Sequence, residues 1–272
     1  MTNKSSSFSK FYMLLIFIFL YAPIIVMTAF SFNASSSTYQ MNGLSLHWWS
    51  RMFTDNAAME ALKNTLILAV ATTIISTFLG VLAAVGLFHQ KNKLYKSAMM
   101  SVTNIPLMNP EIVTGISMML LFVFAGTLVK KSEVLGFSTL LIAHITFCLP
   151  YVILNIIPKL RQLDFNIYEA ALDLGCKPLK AFFKVVIPEI MSGIITGAVM
   201  SFTLSLDDFI ISYFTNGPSF QTLPIYIFSL TKKRVKPDMF ALSTLMFVVI
   251  LILLVLMNIA QSRADKKEES RI

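Results

Sequence analysis

Long apolar runs constrain this chain more than any other feature of its sequence. A helix needs about 20 mostly apolar residues to cross a hydrocarbon core about 30 Å thick, and six such runs recur along the 272 residues. Only 13% of the residues are charged, whereas soluble domains carry about 25%. Composition therefore excludes a cytosolic enzyme, a disulfide-stabilised secreted domain and a disordered chain. It predicts an all-α integral membrane protein.

The six predicted spans form one transmembrane domain that covers residues 1–272. The first run is either a signal peptide or a retained anchor, and its length favours the anchor because signal-peptide cores span about 7–15 residues. The third follows a short helix and a break at Asn109-Pro110-Glu111, which is typical of a helix cap with a first-turn proline. The spans are predicted at about 11–32, 64–88, 110–129, 135–157, 188–212 and 239–260.

The basic residues predict the orientation of the chain. Six spans place both termini on one side, and most of the 22 Lys and Arg residues lie inside when the termini are cytoplasmic, as basic loops prefer. These loops account for the net charge of +8, so we expect no nucleic-acid partner. One basic cluster falls outside, either as a partner contact or as solvated loop charge. It comprises Lys232, Lys233, Arg234 and Lys236.

Three acidic residues lie within the predicted spans. A charged side chain at the centre of a membrane helix costs about 2.5–3.5 kcal/mol, so Asp207, Asp208 and Glu111 require a compensating feature. At helical rise Asp207 lies near the outer end of the fifth span, and Ser205 and Asp208, three residues apart, can share a face. The adjacent pair is either a cation-attracting gate or a pair of interfacial acids. Glu111 either lines the same path or caps a helix.

Aromatic and small residues support two further hypotheses. Trp48, Tyr213 and Phe214 offer faces for cation–π contacts with a substrate, whereas anchoring at the membrane interface is the default role of such residues. In the fifth span small residues recur every four positions, which predicts close packing against a second membrane subunit. This ridge consists of Gly193, Gly197, Ser201 and Ser205.

The chain carries no recognisable catalytic or metal-binding motif. Phosphate loops, HExxH helices and paired-cysteine spacings are absent from the sequence, and Cys148 and Cys176 are most simply free thiols. His144 stands alone in an apolar run, either as a hydrogen-bonded packing residue or as a ligand or proton relay. We therefore predict neither catalysis by this chain nor a metal site.

The cytoplasmic segment 159–184 leads to a family resemblance. Glu169-Ala170-Ala171 precedes Gly175, and after nine further residues comes Val185-Val186-Ile187-Pro188. This arrangement resembles the E-A-A…G…I-x-L-P signature of ABC-importer permeases, with Val185 and Ile187 in place of its Ile and Leu. The resemblance implies the type I importer permease fold of six transmembrane helices. It also implies a coupling helix, seated against a cytoplasmic ATPase through Glu169, Ala170, Ala171 and Gly175.

A second resemblance narrows the substrate. The segment Ser205-Leu206-Asp207-Asp208-Phe209, with Gly217-Pro218 and Thr222-Leu223-Pro224 after it, is similar to permeases of the spermidine/putrescine PotC family. The run His144-Ile145-Thr146-Phe147-Cys148-Leu149-Pro150 is similar too. The resemblance implies a bacterial inner-membrane subunit that works with a homologous permease, two ATP-binding subunits and an extracytoplasmic polyamine-binding protein. Those ATP-binding subunits would hold ATP and Mg²⁺, with no cofactor in this chain.

Three alternatives stay open at the level of sequence. Another cargo, such as a different amine compound, thiamine or ferric iron, suits the same class of permease. A self-contained secondary transporter would need no ATPase and no Glu169. A membrane-embedded enzyme would need a nucleophile or a metal set, and the sequence offers neither.

Overall fold

The computed structural model describes residues 7–35, 37, 40–130, 133–232 and 237–269, and most of them are helical. The predicted all-α class is confirmed. Among the described residues, the extended pairing is limited to an isolated bridge between Asn33 and Leu44. Lys233, Arg234 and Lys236 of the predicted basic cluster lie outside the described ranges. The α-helices are α1 Ser7–Ser31, α2 His47–Thr54, α3 Asn56–His89, α4 Lys93–Met108, α5 Glu111–Leu128, α6 Phe137–Gln162, α7 Phe165–Asp173, α8 Pro178–Ala181, α9 Ile187–Glu189, α10 Met191–Asp207, α11 Ile210–Thr215, α12 Leu223–Thr231 and α13 Pro237–Glu269.

Five helices in the described part of the chain are long and apolar enough to cross a membrane, namely α1, α3, α5, α6 and α13. The segments Pro178–Glu189 and Met191–Asp207 meet at a bend of 69° and pass the same test together, which makes six candidate spans when the pair is counted as one. The bend follows a π-helical turn, Phe182–Val186, and lies at Ile190, whose ψ of 6° departs from helical values. The fifth predicted span is thus broken, a feature that its hydropathy does not reveal.

The start of α5 differs in detail from the prediction. Asn109 ends α4, with its N–H donating to the Ile105 carbonyl, and Pro110 is the N-cap of α5. Both residues are non-helical, with ψ of 137° and 131°, and for Asn109 the cause is the following proline, which drives the residue before it out of the helical region. Proline has no side-chain acceptor, so no side chain caps this helix. Glu111 is therefore its first residue.

The chain divides into two compact units, residues 1–60 with 226–251 and residues 61–225 with 252–272. In the first unit, Asp55 accepts hydrogen bonds from the N–H groups of Ala57 and Ala58 at the start of α3, and from the Tyr226 hydroxyl at 2.7 Å. Burial and this hydrogen bond raise the pKa of Tyr226. The assignment of residues 1–272 to a single domain stays a prediction.

In the second unit, the glycines of α10 lie directly against α6. A Cβ atom on Gly193 would lie 2.8 Å from the Asn155 carbonyl oxygen, and one on Gly197 would lie 3.1 Å from the Val152 Cα. Such distances leave no room for a side chain between the two backbones. The ridge therefore packs against a helix of the same chain. The prediction that it faces a second membrane subunit is wrong, because α6 already occupies that face.

The ridge continues toward the C-terminal end of α10 through hydroxyl groups. The Ser201 and Ser76 hydroxyls are 2.6 Å apart, which joins α10 to α3, and the Cys148 thiol of α6 donates to the Ser201 carbonyl at 3.5 Å. Apolar side chains of α3, α6 and α9 and the neighbouring turns form a buried core in this unit. Helix α6 is thus the packing centre of this unit, and it positions the residues described next.

Candidate functional site

The two acidic neighbours of the fifth span lie at a break in the helix. Helix α10 ends at Asp207, Asp208 is extended with φ −61° and ψ 127°, and α11 begins at Ile210. Because the backbone turns between them, the two carboxylates have different environments. Asp207 is exposed on the surface of this chain, whereas Asp208 is only 8% exposed.

The buried carboxylate is satisfied by the protein itself. One oxygen of Asp208 accepts from the Ile211 N–H at 3.2 Å and the other from the Ser212 N–H at 2.7 Å. These are free donors in the first turn of α11, which an acidic side chain satisfies well. Asp208 therefore acts as a helix cap inside the fold, and its geometry does not present it to a passing substrate.

His144 of α6 connects the two sides of this break. Its Nδ1 lies 2.8 Å from the Ser205 hydroxyl of α10, and its Nε2 lies 2.9 Å from the Ser212 hydroxyl of α11 and 3.4 Å from Asp208 Oδ2. All four side chains are buried. Of the alternatives open for His144, the hydrogen-bonded packing residue fits this geometry. Ser205, predicted to line the pathway, is 2% exposed and bonded to the imidazole.

The exposed carboxylate has a different set of neighbours. Asp207 is close enough to Glu111, the first residue of α5, for their charges to interact. The charge of Glu111 also acts on Tyr151 of α6. Glu111 is exposed as well. In the described part of the chain, neither carboxylate forms an ion pair with a lysine or arginine. Two exposed carboxylates, distant in sequence, therefore lie within electrostatic range of each other.

The aromatic residues predicted to contact substrate differ in their exposure. Tyr213 of α11 is 44% exposed, and its ring lies 5.6 Å from that of Phe209 and 5.4 Å from that of Phe214. Helix α11 packs on α5 and α6, where Phe214 lies against Gly115. Trp48 belongs to the other unit. It is 6% exposed, and its indole N–H donates to the Asn33 carbonyl at 2.8 Å, so its ring is used in packing.

The predicted coupling residues lie on α7 and the turn after it. Glu169 and Ala170 are exposed, and Ala171 is half-buried. The helix ends at Asp173 and is followed by Gly175, whose φ of +80° favours glycine. The Gly175 and Cys176 N–H groups donate to the Leu172 and Ala171 carbonyls. This is a Schellman-type ending. It leaves a short helix with a small-residue surface exposed on this chain.

Sequence reasoning missed two residues of this region. Tyr151 lies seven residues after His144, two helical turns along α6, and this spacing places both on one side of the helix. The bridging role of His144 was equally hidden, although Ser205, Asp208 and Ser212 follow the i, i+3, i+7 spacing of one helical face. Within the described residues, no group of three or more His, Cys, Asp or Glu side chains is placed to hold a metal ion.

Comparison with known proteins relates this arrangement to transport systems. A family model described as a binding-protein-dependent transport system inner membrane component matches residues 76–269. The chain is 39% identical over 233 residues to the putrescine transport system permease protein PotI of Escherichia coli K12, covering 86% of this chain and 83% of PotI. It is 35% identical over 246 residues to the spermidine/putrescine transport system permease protein PotC of the same strain, covering 90% of each.

Solved structures share the fold at lower sequence identity. A bacterial ABC transporter that imports the acidic polysaccharide alginate contains a chain with a TM-score of 0.72 and 16% identity, covering 93% of this chain and 92% of that chain. The same kind of transporter, crystallised with an alginate pentasaccharide-bound periplasmic protein, gives a TM-score of 0.71 at 16% identity, covering 94% and 93%. The predicted ABC-importer permease fold is thereby confirmed.

Proposed function

The chain belongs to the family of binding-protein-dependent transport system inner membrane components, and we propose that it carries polyamines as the permease subunit of an ATP-driven importer. Membership of this transport family and the identity to PotI and PotC confirm both predicted resemblances. The family consists of multi-pass inner-membrane permeases, which are transport subunits and not enzymes. The choice of spermidine or putrescine as cargo is our proposal.

The observation that carries this proposal is the convergence of Asp207 and Glu111. Both carboxylates are exposed on this chain and lie within range of each other's charge, without a basic partner among the described residues. Two uncompensated carboxylates repel and are costly near lipid. A substrate with separated ammonium groups would relieve both penalties, since each carboxylate would gain a cation. Tyr151 and the exposed ring of Tyr213 would add cation–π contacts with the ammonium groups.

The remaining predicted pathway residues receive supporting roles in this proposal. Asp208 and Ser205 hold the α10–α11 break through His144, and Trp48 stabilises the first unit. Substrate contact is therefore assigned to Asp207, Glu111 and Tyr213, with Tyr151 added by the structure.

The proposed importer requires further subunits. A homologous permease would complete the pathway opposite Asp207 and Glu111, and an extracytoplasmic binding protein would deliver the polyamine. Two ATP-binding subunits would hold ATP and Mg²⁺ and contact α7 through Glu169, Ala170, Ala171 and Gly175. With both termini in the cytoplasm of a bacterial cell, α7 lies on the cytoplasmic side. Its small, exposed surface supports this docking role.

Transport by the reconstituted complex tests the cargo and the site together. In proteoliposomes that contain all subunits and ATP, we expect accumulation of radiolabelled spermidine or putrescine. Asp207→Asn and Glu111→Gln should each lower uptake at subsaturating substrate about tenfold, equivalent to about 1.4 kcal/mol of lost binding energy. Glu133→Gln, an exposed acid between α5 and α6, is the matched control and should keep wild-type uptake.

The possible outcomes separate cargo from site. If the wild-type complex accumulates neither polyamine, while thiamine, ferric iron or another amine drives its ATPase activity, the cargo proposal fails. If polyamines accumulate normally in the Asp207→Asn/Glu111→Gln double variant, the proposed site fails.

A further inference from the structure

The imidazole of His144 forms hydrogen bonds on both sides of the α10–α11 break. Through Nδ1 it bonds Ser205, three residues before Asp208, and through Nε2 it contacts Ser212 and Asp208. The ring is fully buried and is carried by α6, the packing centre of its unit. Both ends of the break are thereby fixed to the same rigid helix.

The hydrogen bonds around this ring can all be satisfied at once. The Ser205 hydroxyl donates to Nδ1, and the Nε2–H group donates to the Ser212 hydroxyl and faces Asp208 Oδ2 at 3.4 Å. This assignment follows from the network, since ring protons are inferred from partners. A fully satisfied buried network is geometrically specific, because any displaced member leaves a costly unpaired polar group.

The network determines where the neighbouring side chain is directed. Asp208 is held inward by the Ile211 and Ser212 N–H groups and by His144. Asp207 is the residue immediately before it and the last residue of α10. With the backbone fixed on both sides, Asp207 remains at the exposed surface beside Glu111. We propose that His144 is a positioning residue, which holds the α10–α11 break so that the Asp207 carboxylate faces the substrate path.

This inference deepens the proposed function, and its first test requires no substrate. In the assembled complex, with Cys176→Ser to remove the partly exposed thiol, Asp207→Cys is labelled by a charged, membrane-impermeant thiol reagent. The buried Cys148 is kept. We expect His144→Leu to lower the labelling rate at Asp207→Cys at least about fivefold. His144→Gln, whose amide can still donate toward Ser212 and Asp208, should restore much of the rate.

A second measurement separates positioning from general stability. Per assembled complex, His144→Leu should raise the polyamine concentration for half-maximal uptake about tenfold, while the maximal rate changes less than twofold. A purely structural role would lower the amount of complex and leave the half-saturating concentration unchanged. Thr146→Val is the control on the same helix, because this exposed hydroxyl bonds only to the Ile142 carbonyl of α6.

The outcomes distinguish this inference from the cargo proposal. If labelling falls in His144→Leu but no polyamine is transported by wild-type complex, positioning stands and the cargo proposal fails. Unchanged labelling and an unchanged half-saturating concentration in His144→Leu would overturn the positioning role. Should His144→Leu fail to assemble, Ser212→Ala, which removes one contact of the ring, decides in its place. A wild-type labelling rate in that variant would also overturn the proposal.

Discussion

At the scale of single residues, Asp207 and Asp208 show how one peptide bond separates two functions. The helix ends between them, so their side chains leave the backbone in different directions. Asp208 is buried, and backbone N–H donors and His144 take the place of water around its carboxylate. Asp207 stays exposed. A buried carboxylate is tolerated only when hydrogen bonds compensate its lost hydration. Asp208 is therefore part of the fold, and Asp207 is available to a ligand.

Replacement of the buried acid tests this division. Asp208→Asn places an amide group where a carboxylate accepts two N–H donors, so at least one donor loses its partner. We expect a loss of about 1–3 kcal/mol in folding free energy, seen as a lower thermal midpoint of the purified complex in detergent. Asp207→Asn is the matched comparison and should keep the wild-type midpoint. Equal midpoints for the two variants would contradict the assignment.

At the scale of elements, the close approach of α6 and α10 depends on residues without side chains. Gly193 and Gly197 allow backbone-to-backbone contact, as small residues do between membrane helices. The hydroxyl contacts of Ser201 and Ser205 continue the same line. Because α10 is held this closely along its length, the break at its C-terminal end is held in register with His144.

A substitution that adds a methyl group between the two helices tests this packing. Gly193→Ala introduces a Cβ that would lie 2.8 Å from the Asn155 carbonyl oxygen, so the two helices must shift apart. We expect destabilisation of about 1–3 kcal/mol, which is typical of overpacking, measured as a lower thermal midpoint. Gly86→Ala is the matched control in α3, where a Cβ meets no atom within 4 Å, and it should be neutral or slightly stabilising. Equal behaviour of both variants would exclude close packing at Gly193.

At the scale of the whole molecule, the proposed orientation follows from an even number of crossings. Five long helices give six crossings when the bent pair at Ile190 is counted as one span, and the basic residues favour cytoplasmic termini. In this proposed orientation the loop after α1 lies outside the membrane and α7 lies on the cytoplasmic side. Import needs these two surfaces on opposite sides of the membrane.

Cysteine labelling tests this orientation. In a Cys176→Ser background, Leu44→Cys should react with an impermeant maleimide on intact spheroplasts, because Leu44 is 78% exposed and lies after the first crossing. Leu174→Cys, at an 89% exposed position after α7, should react only once the membrane is permeabilised. The background variant without added cysteine is the control. The reverse pattern would invert the topology, and labelling of both sites from one side would exclude six crossings.

Hydropathy and the E-A-A signature are local properties of the chain, so the membrane class, the approximate positions of the helices and the family could be predicted from the amino-acid order. Asp207 and Glu111 could also be identified as unusual, since acids within apolar runs are visible without a fold. Helix packing was needed to show which acid is buried, that the glycine ridge faces α6, and that His144 joins both sides of the break. These outcomes depend on residues far apart in sequence, such as Ser205 and His144, whose contact arises from helix packing and has no local signal.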